Sequence, residues 1–308
     1  MFHPSRLIAL LLFVAMLVAV EWWLGWATLL APWREQSLAS VLGAVGLTFV
    51  TYGLRALRLY DYFRREMRGG FARCLKLTLQ HNLLNNLLPM RSGELSFPLL
   101  MARYFDVPVV RSVPVLLWFR LLDLHTLIGL AVVAAAMLWL PPIQAALLGV
   151  CWMVLPWFAY RLAGRLRGHL ASRSTRWAGR LTEALDALPT SHAAFFRAWG
   201  WTVVNWVVKI AVFAWVLALF LPVSTPLAWL GAIGGDLTSV LPVHGVAGAG
   251  TFEAGVVAAL APFGVTPAQA LPAAINLHLF ILASTLIGGL LSLPLPGRNL
   301  RARPSSGQ

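Results

Sequence analysis

Six stretches of the chain are apolar for long enough to cross a bilayer: residues 7–30, 38–57, 113–140, 143–160, 199–221 and 268–293. A helix needs about 20 apolar residues to traverse the hydrocarbon core, so each is expected to be a spanning helix. The first run continues to about Trp33, interrupted only by Glu21. A signal-peptide core is about 7–15 residues long, so this run reads as an uncleaved first span. Two further apolar regions, 71–105 and 226–262, are broken in the middle by proline, glycine and charge. Each is expected to fold as a re-entrant helical hairpin. The fold class that follows is an all-α polytopic membrane protein with about six full spans and two re-entrant hairpins.

Composition agrees with that pattern. Of 308 residues, 59% are hydrophobic and 11% charged, against about 25% charged in an average soluble domain. The net charge of +13 would suit nucleic acid only as a basic patch on a soluble face. Here the arginines stand in short stretches between apolar runs, which fits an anionic inner leaflet instead. Segment 55–76 carries Arg55, Arg58, Arg64, Arg65, Arg68, Arg73 and Lys76, and the tail carries Arg298, Arg301 and Arg303. A third basic stretch, 161–198, interleaves arginines with leucines and reads as an amphipathic helix on the leaflet or a solvated connector. The connections 141–142 and 222–226 carry no charge. Cations favour the cytoplasmic side, so both termini are expected in the cytoplasm of a bacterial cell bounded by this inner membrane. Cys74 and Cys151 stand far apart with no CxxC spacing and suggest neither a disulfide nor a metal site. Trp22, Trp23, Trp26, Trp33, Trp199, Trp201 and Trp206 read as interfacial anchors.

The two broken regions echo each other. Pro89 and Ser92-Gly93-Glu94 in the first correspond to Pro242 and Thr251-Phe252-Glu253 in the second, with the hydroxyl and carboxylate positions both 159 residues apart. The hydroxyls are expected to cap the returning half-helices, and the carboxylates to sit in their first turns. Further on, Phe105-Asp106-Val107 matches Phe263-Gly264-Val265, Arg120 falls against His278, and Thr126-Leu127-Ile128-Gly129 meets Thr285-Leu286-Ile287-Gly288, at offsets of 158 or 159. This order divides a single membrane domain, 1–308, into two N-terminal spans (1–60), a first repeat (71–140), the basic loop (161–198), a second repeat (226–293) and a tail (294–308). The hairpins enter from opposite faces in this topology, so the repeats are inverted. Broken helices in inverted repeats are a transporter architecture, in which half-helix ends meet charged groups near the midplane.

The segments "NNLLPMRSGELSFPLL" (85–100), "RLLDL" (120–124) and "LPVHGVAGAGTFEAGV" (241–256) resemble the transmembrane region of lysylphosphatidylglycerol synthases, a flippase-like membrane family, and the likeness covers roughly residues 7–295. The resemblance implies a polytopic inner-membrane protein associated with moving lipids between leaflets. In the bifunctional synthases this region flips aminoacylated phosphatidylglycerol, and other branches are linked to hopanoid or glycolipid pathways. This chain departs from the family pattern at Leu95-Ser96-Phe97-Pro98, at Phe119 and at His278.

An ionisable group inside a bilayer costs at least about 2.5–3.5 kcal/mol, so each one asks for a reason. Arg91 and Glu94 at the first tip either grip a lipid phosphate or close the turn as an ion pair. Glu253 is the repeat counterpart of Glu94, and Asp236 and His244 flank the second tip. Arg120 and Asp123 are three apart and suit an intrahelical pair or a substrate contact. Lys209, in mid-span, would neutralise Asp236 or Glu253 or meet a phosphate. His81, Asn82, Asn85 and Asn86 make one polar face that either lines a head-group path or bonds neighbouring helices, and His278 is a further lining candidate. "GVAGAG" (245–250) lacks the GxGxxG spacing and a strand-to-helix context, and reads as a tightly packed tip. Arg91, Glu94, Arg120, Asp123, Lys209, His244 and Glu253 are therefore the expected substrate-binding residues, with no cofactor and no metal. The expected activity is translocation of an anionic phospholipid, hopanoid or lipid-linked intermediate between leaflets. An intramembrane lipid-modifying enzyme and a non-transporting subunit of a lipid synthase stand as alternatives. Partners are the lipid, the anionic leaflet, and a second copy or a lipid-synthase subunit.

Overall fold

A computed structural model describes residues 18, 20–22, 25–171, 189, 191–238 and 246–297, with residues 89–91, 163, 166–171 and 246 described by their backbone alone. Among the described residues all regular structure is helical. The helices are α1 (Trp26–Glu35), α2 (Leu38–Tyr62), α3 (Phe71–Leu87), α4 (Ser96–Phe105), α5 (Val109–Ala136), α6 (Pro142–Ala171), α7 (His192–Phe220), α8 (Thr225–Thr238), α9 (Thr251–Leu260) and α10 (Pro267–Leu291). Short 3₁₀ turns at Pro89–Leu95 and Val246–Gly248 form the tips between α3 and α4 and between α8 and α9. Helices α2, α5, α6, α7 and α10 are long and apolar enough to cross a membrane. They coincide with five of the six expected spans. The sixth, 7–30, lies mostly outside the described residues, as does the basic loop from 172 to 188. α6 carries on to Ala171, well past the expected span end at 160.

Local chemistry sets the breaks. α3 stops at Leu87 and Pro89 opens the tip, since proline brings no N–H to continue a helix. The tip folds back so closely that a Cβ on Gly93 would stand 2.4 Å from both Asn85 Cα and the Leu84 carbonyl. α4 ends on Asp106 in the left-handed region, φ 56°. The corner before α10 uses Gly264, φ 82°, where glycine bears that conformation without cost. In the second hairpin α8 and α9 cross with Gly234 against Gly255, where a Cβ on either would come within 2.5 Å of the other's carbonyl oxygen.

The apolar core divides in two. One cluster joins Phe63, Leu77, Met101 and Leu122 of the first hairpin and its neighbours, with Phe195. The other joins Ile210, Leu217, Val256, Leu260 and Leu277 around the second hairpin. α2 packs on α7 at the centre, α3 packs on α10, α8 packs on α5, and the two tips touch. The hairpins enter from opposite ends of this bundle. Lys76, near the start of α3, donates to the Leu295 carbonyl just past the end of α10 at 2.7 Å. Phe263, at the corner between α9 and α10, instead lies tilted against Trp139, just past the end of α5, with ring centroids 5.7 Å apart.

Candidate functional site

The buried charges lie between the two apolar clusters. Asp123 on α5 accepts from Arg58 Nη1 of α2 at 2.6 Å and from Trp206 Nε1 of α7 at 2.8 Å. Arg58 also donates to Thr202 Oγ1 at 2.9 Å, and its guanidinium lies 4.4 Å from the centroid of Phe119. Arg120 reaches Asp123 only at 3.5 Å, whereas its Nη2 is 2.5 Å from Glu94 Oε1 on the first tip. The expected Arg120–Asp123 pair is therefore the longer of two contacts. The carboxylate of Glu94 thereby ties the first tip to the following span, α5. The side chain of Arg91 and the whole of His244 lie outside the described residues.

The second hairpin repeats this arrangement with different chemistry. Glu253 Oε1 bonds His278 Nδ1 of α10 at 2.6 Å, and His278 stacks on Phe252 at 4.6 Å. Arg120 and His278, matched by their spacing, thus each meet the glutamate of the hairpin before them. The expected Thr251 cap is corrected by the structure. α9 has Gly250 at its N-cap, whose N–H donates to Glu253 Oε2 at 2.8 Å, while Thr251 Oγ1 donates back to the Gly248 carbonyl. α4 begins at Ser96 without a side-chain cap. There Ser96 Oγ donates to the Gly93 carbonyl at 2.6 Å and meets His81 Nδ1 at 2.9 Å, stitching the tip to α3.

Lys209 sits in mid-span on α7, its Nζ 2.5 Å from Asp236 Oδ2 on α8 and over the rings of Trp206 and Phe213. Asp236 is buried. Glu253, the other expected partner of Lys209, is held by His278 instead.

Two chambers open among these groups. The first has an empty volume of about 530 Å³, open space included, and its wall includes Arg58, His81, Phe97, Phe119 and Asp123. The second, about 560 Å³ on the same measure, is walled by Tyr52, Asn85, Asn86, Trp206, Lys209 and Asp236. Arg55, Asn82 and Arg120 belong to both walls. The structure therefore brings together His81, the three asparagines, Arg120, Asp123, Lys209 and Asp236. Glu94 stands behind Arg120, and Glu253 and His278 form a separate pair. Asn86 Nδ2 is spent on Thr285 Oγ1 at 2.8 Å, so one of the polar-face residues does bond a neighbouring helix.

Arg55 and Arg58 are corrections to the loop reading of 55–76. Both belong to α2, Arg58 is buried, and both line chambers. Trp206 and Trp33 are likewise not anchors at an interface: Trp206 is buried on Asp123, and Trp33 Nε1 donates to Asn276 Oδ1 at 2.6 Å. A signal for Arg55 and Trp206 is present in the chain. Ala44-x-Gly46-x-Thr48-x-Val50-Thr51-Tyr52-x-x-Arg55 recurs as Ala198-x-Gly200-x-Thr202-x-Val204-Asn205-Trp206-x-x-Lys209. Arg55 bonds Asn82 and Lys209 bonds Asp236, each pair separated by 27 residues.

The family model described as "Lysylphosphatidylglycerol synthase TM region" matches residues 6–289. No curated protein and no solved structure matches the chain.

Proposed function

Because the chain belongs to the lysylphosphatidylglycerol synthase TM region family, whose members are membrane proteins of lipid metabolism or translocation, we propose that it moves the head group of an anionic lipid between leaflets. The observation that carries this reading is a pair of partly open chambers among the spans, lined by charged and amide side chains and sharing the wall Arg55, Asn82 and Arg120. Buried polar surface of this kind is expensive in a bilayer and is kept where a polar substrate must pass. The acyl chains would remain in lipid while the head group crosses from one chamber to the other.

The moving parts in this reading are two inverted repeats, each beginning one helix earlier than the hairpin: α2 to α5 and α7 to α10. Arg55–Asn82 and Lys209–Asp236 hold equivalent places, as do Glu94–Arg120 and Glu253–His278. The last two pairs join a hairpin to the span after it and act as alternate latches. Breaking one opens one chamber to its side while the other stays closed. Arginines at 64, 65 and 68 after α2 favour a cytoplasmic position for that end in an inner membrane. The Glu253–His278 pair is enclosed against Phe252, a poor position for acid–base chemistry on a lipid.

Reconstitution into liposomes tests the proposal. Labelled lipids with anionic, zwitterionic and cationic head groups are followed by accessibility to an impermeant quencher. The wild type is expected to accelerate exchange of anionic lipids most, and Arg120→Gln to slow it at least tenfold. Rates equal to those of empty liposomes for every head group would refute the translocator reading.

A further inference from the structure

Equivalent positions in the two halves hold a cation, and the two cations are neutralised differently. Lys209 on α7 has the Asp236 carboxylate at 2.5 Å. Arg55 on α2 turns to the matching place on α3 and finds Asn82, with Nη1 3.1 Å from Oδ1. An amide oxygen accepts a hydrogen bond but brings no charge. The carboxylates nearby are committed: Asp123 to Arg58, Glu94 to Arg120 and Asp236 to Lys209. Asp123 and Asp236 act on Arg55 only from beyond ion-pair distance.

Along this seam, Arg55, Arg58, Arg120 and Lys209 face Glu94, Asp123 and Asp236 among the described residues. Four cations against three carboxylates leave a single positive charge, and Arg55 is where it has no counter-ion. A charge taken out of water without a partner costs several kcal/mol. Arg55 also faces both chambers, so a ligand can reach it. Among the described residues the hydrogen bond of Arg55 is the one from Nη1 to Asn82, and a guanidinium offers its remaining donors as a fork that suits phosphate oxygens. On the second chamber's wall, Asn85 Oδ1 is buried without a hydrogen bond among the described residues, an acceptor for a hydroxyl group.

Resting on the reading of the chambers as a head-group path, we propose that Arg55 is the resting site of a phosphate carrying one negative charge, the phosphodiester of a hydroxylated head group. Its oxygens supply to Arg55 what Asp236 supplies to Lys209. A single negative charge balances the four cations and three carboxylates described along the seam. A head group that adds an ammonium restores the excess and binds less well.

The substitution that tests this is Asn82→Asp, which gives Arg55 the internal carboxylate that its counterpart already has. The full chain is placed in phosphatidylcholine nanodiscs, and binding of labelled phosphatidylglycerol, phosphatidylethanolamine and inorganic phosphate is measured, with thermal melting as a check on folding. The wild type is expected to bind phosphatidylglycerol at least tenfold more tightly than phosphatidylethanolamine. Asn82→Asp is expected to lose that binding at least tenfold while melting no lower than wild type. Undiminished phosphatidylglycerol binding by folded Asn82→Asp overturns the site. Asp236→Asn is the reciprocal change, expected to create a second anion site at Lys209, and an unchanged stoichiometry counts against the equivalence. The two proposals separate cleanly. Binding of inorganic phosphate without any lipid binding keeps the Arg55 site and removes the lipid path. Full leaflet exchange by Asn82→Asp keeps the path and removes the site.

Discussion

Asp123 gathers three donors from three helices: Arg58 at 2.6 Å, Trp206 at 2.8 Å and Arg120 at 3.5 Å. Replacing it by asparagine keeps the shape but leaves Arg58 buried with no carboxylate. Breaking a buried pair from one side costs about 3–5 kcal/mol, whereas replacing both partners by apolar groups is often neutral. Asp123→Asn is therefore expected to destabilise the protein by about 3–5 kcal/mol, and Arg58→Met with Asp123→Leu to recover most of that. Denaturation in detergent would measure both, and equal losses in the single and double variants would show that the pair is not the source. The residue-level chemistry was only partly legible in the sequence. Asp123 and Lys209 stand out because they interrupt apolar runs. Arg58 does not, because a cation near a span's end looks the same whether it snorkels outward or turns in to a carboxylate 65 residues further along the chain.

Element by element, the spans read well because burial in lipid imposes one unbroken apolar length. The hairpins read well because proline and glycine break a helix for local reasons. Their caps did not, since Thr251 lies one residue inside α9 and the cap falls to Glu253 and the Gly250 N–H, a shift of register too fine for spacing to fix. Close backbone approach was equally hidden, because a glycine required by a neighbour 21 residues away looks like any other. Gly255 is such a residue: a Cβ there would stand 2.4 Å from the Gly234 carbonyl oxygen and 2.5 Å from Thr238 Cγ2. Gly53 on α2 has nothing within 4 Å of the same point. Gly255→Ala is expected to cost about 1–3 kcal/mol by overpacking. Gly53→Ala is expected to be neutral or to stabilise by up to about 1 kcal/mol, because alanine is the better helix former. Melting both variants side by side checks the contrast, and a matching response would mean that α8 and α9 separate at little cost.

For the whole molecule the decisive relation is which end of the bundle each hairpin occupies. The start of α3 lies against the end of α10, through Lys76 and the Leu295 carbonyl, and the corner before α10 lies against the end of α5, through Phe263 and Trp139. α5 has 28 residues and at about 1.5 Å per residue is long enough to cross the membrane. Its first turn follows the corner of the first hairpin at Asp106, and its far end meets the corner of the second. Asp106 and Ala268 are both exposed and stand at those two corners. In a background with Cys151 replaced by serine, because that cysteine is exposed while Cys74 is buried, Asp106→Cys and Ala268→Cys are each treated with an impermeant maleimide on intact cells and on inverted vesicles. Asp106→Cys is expected to label only in inverted vesicles, on the side where the arginines after α2 lie. Ala268→Cys is expected to label only on intact cells. Labelling of both from one side would place both hairpins on a single face and refute the proposed opposed latches.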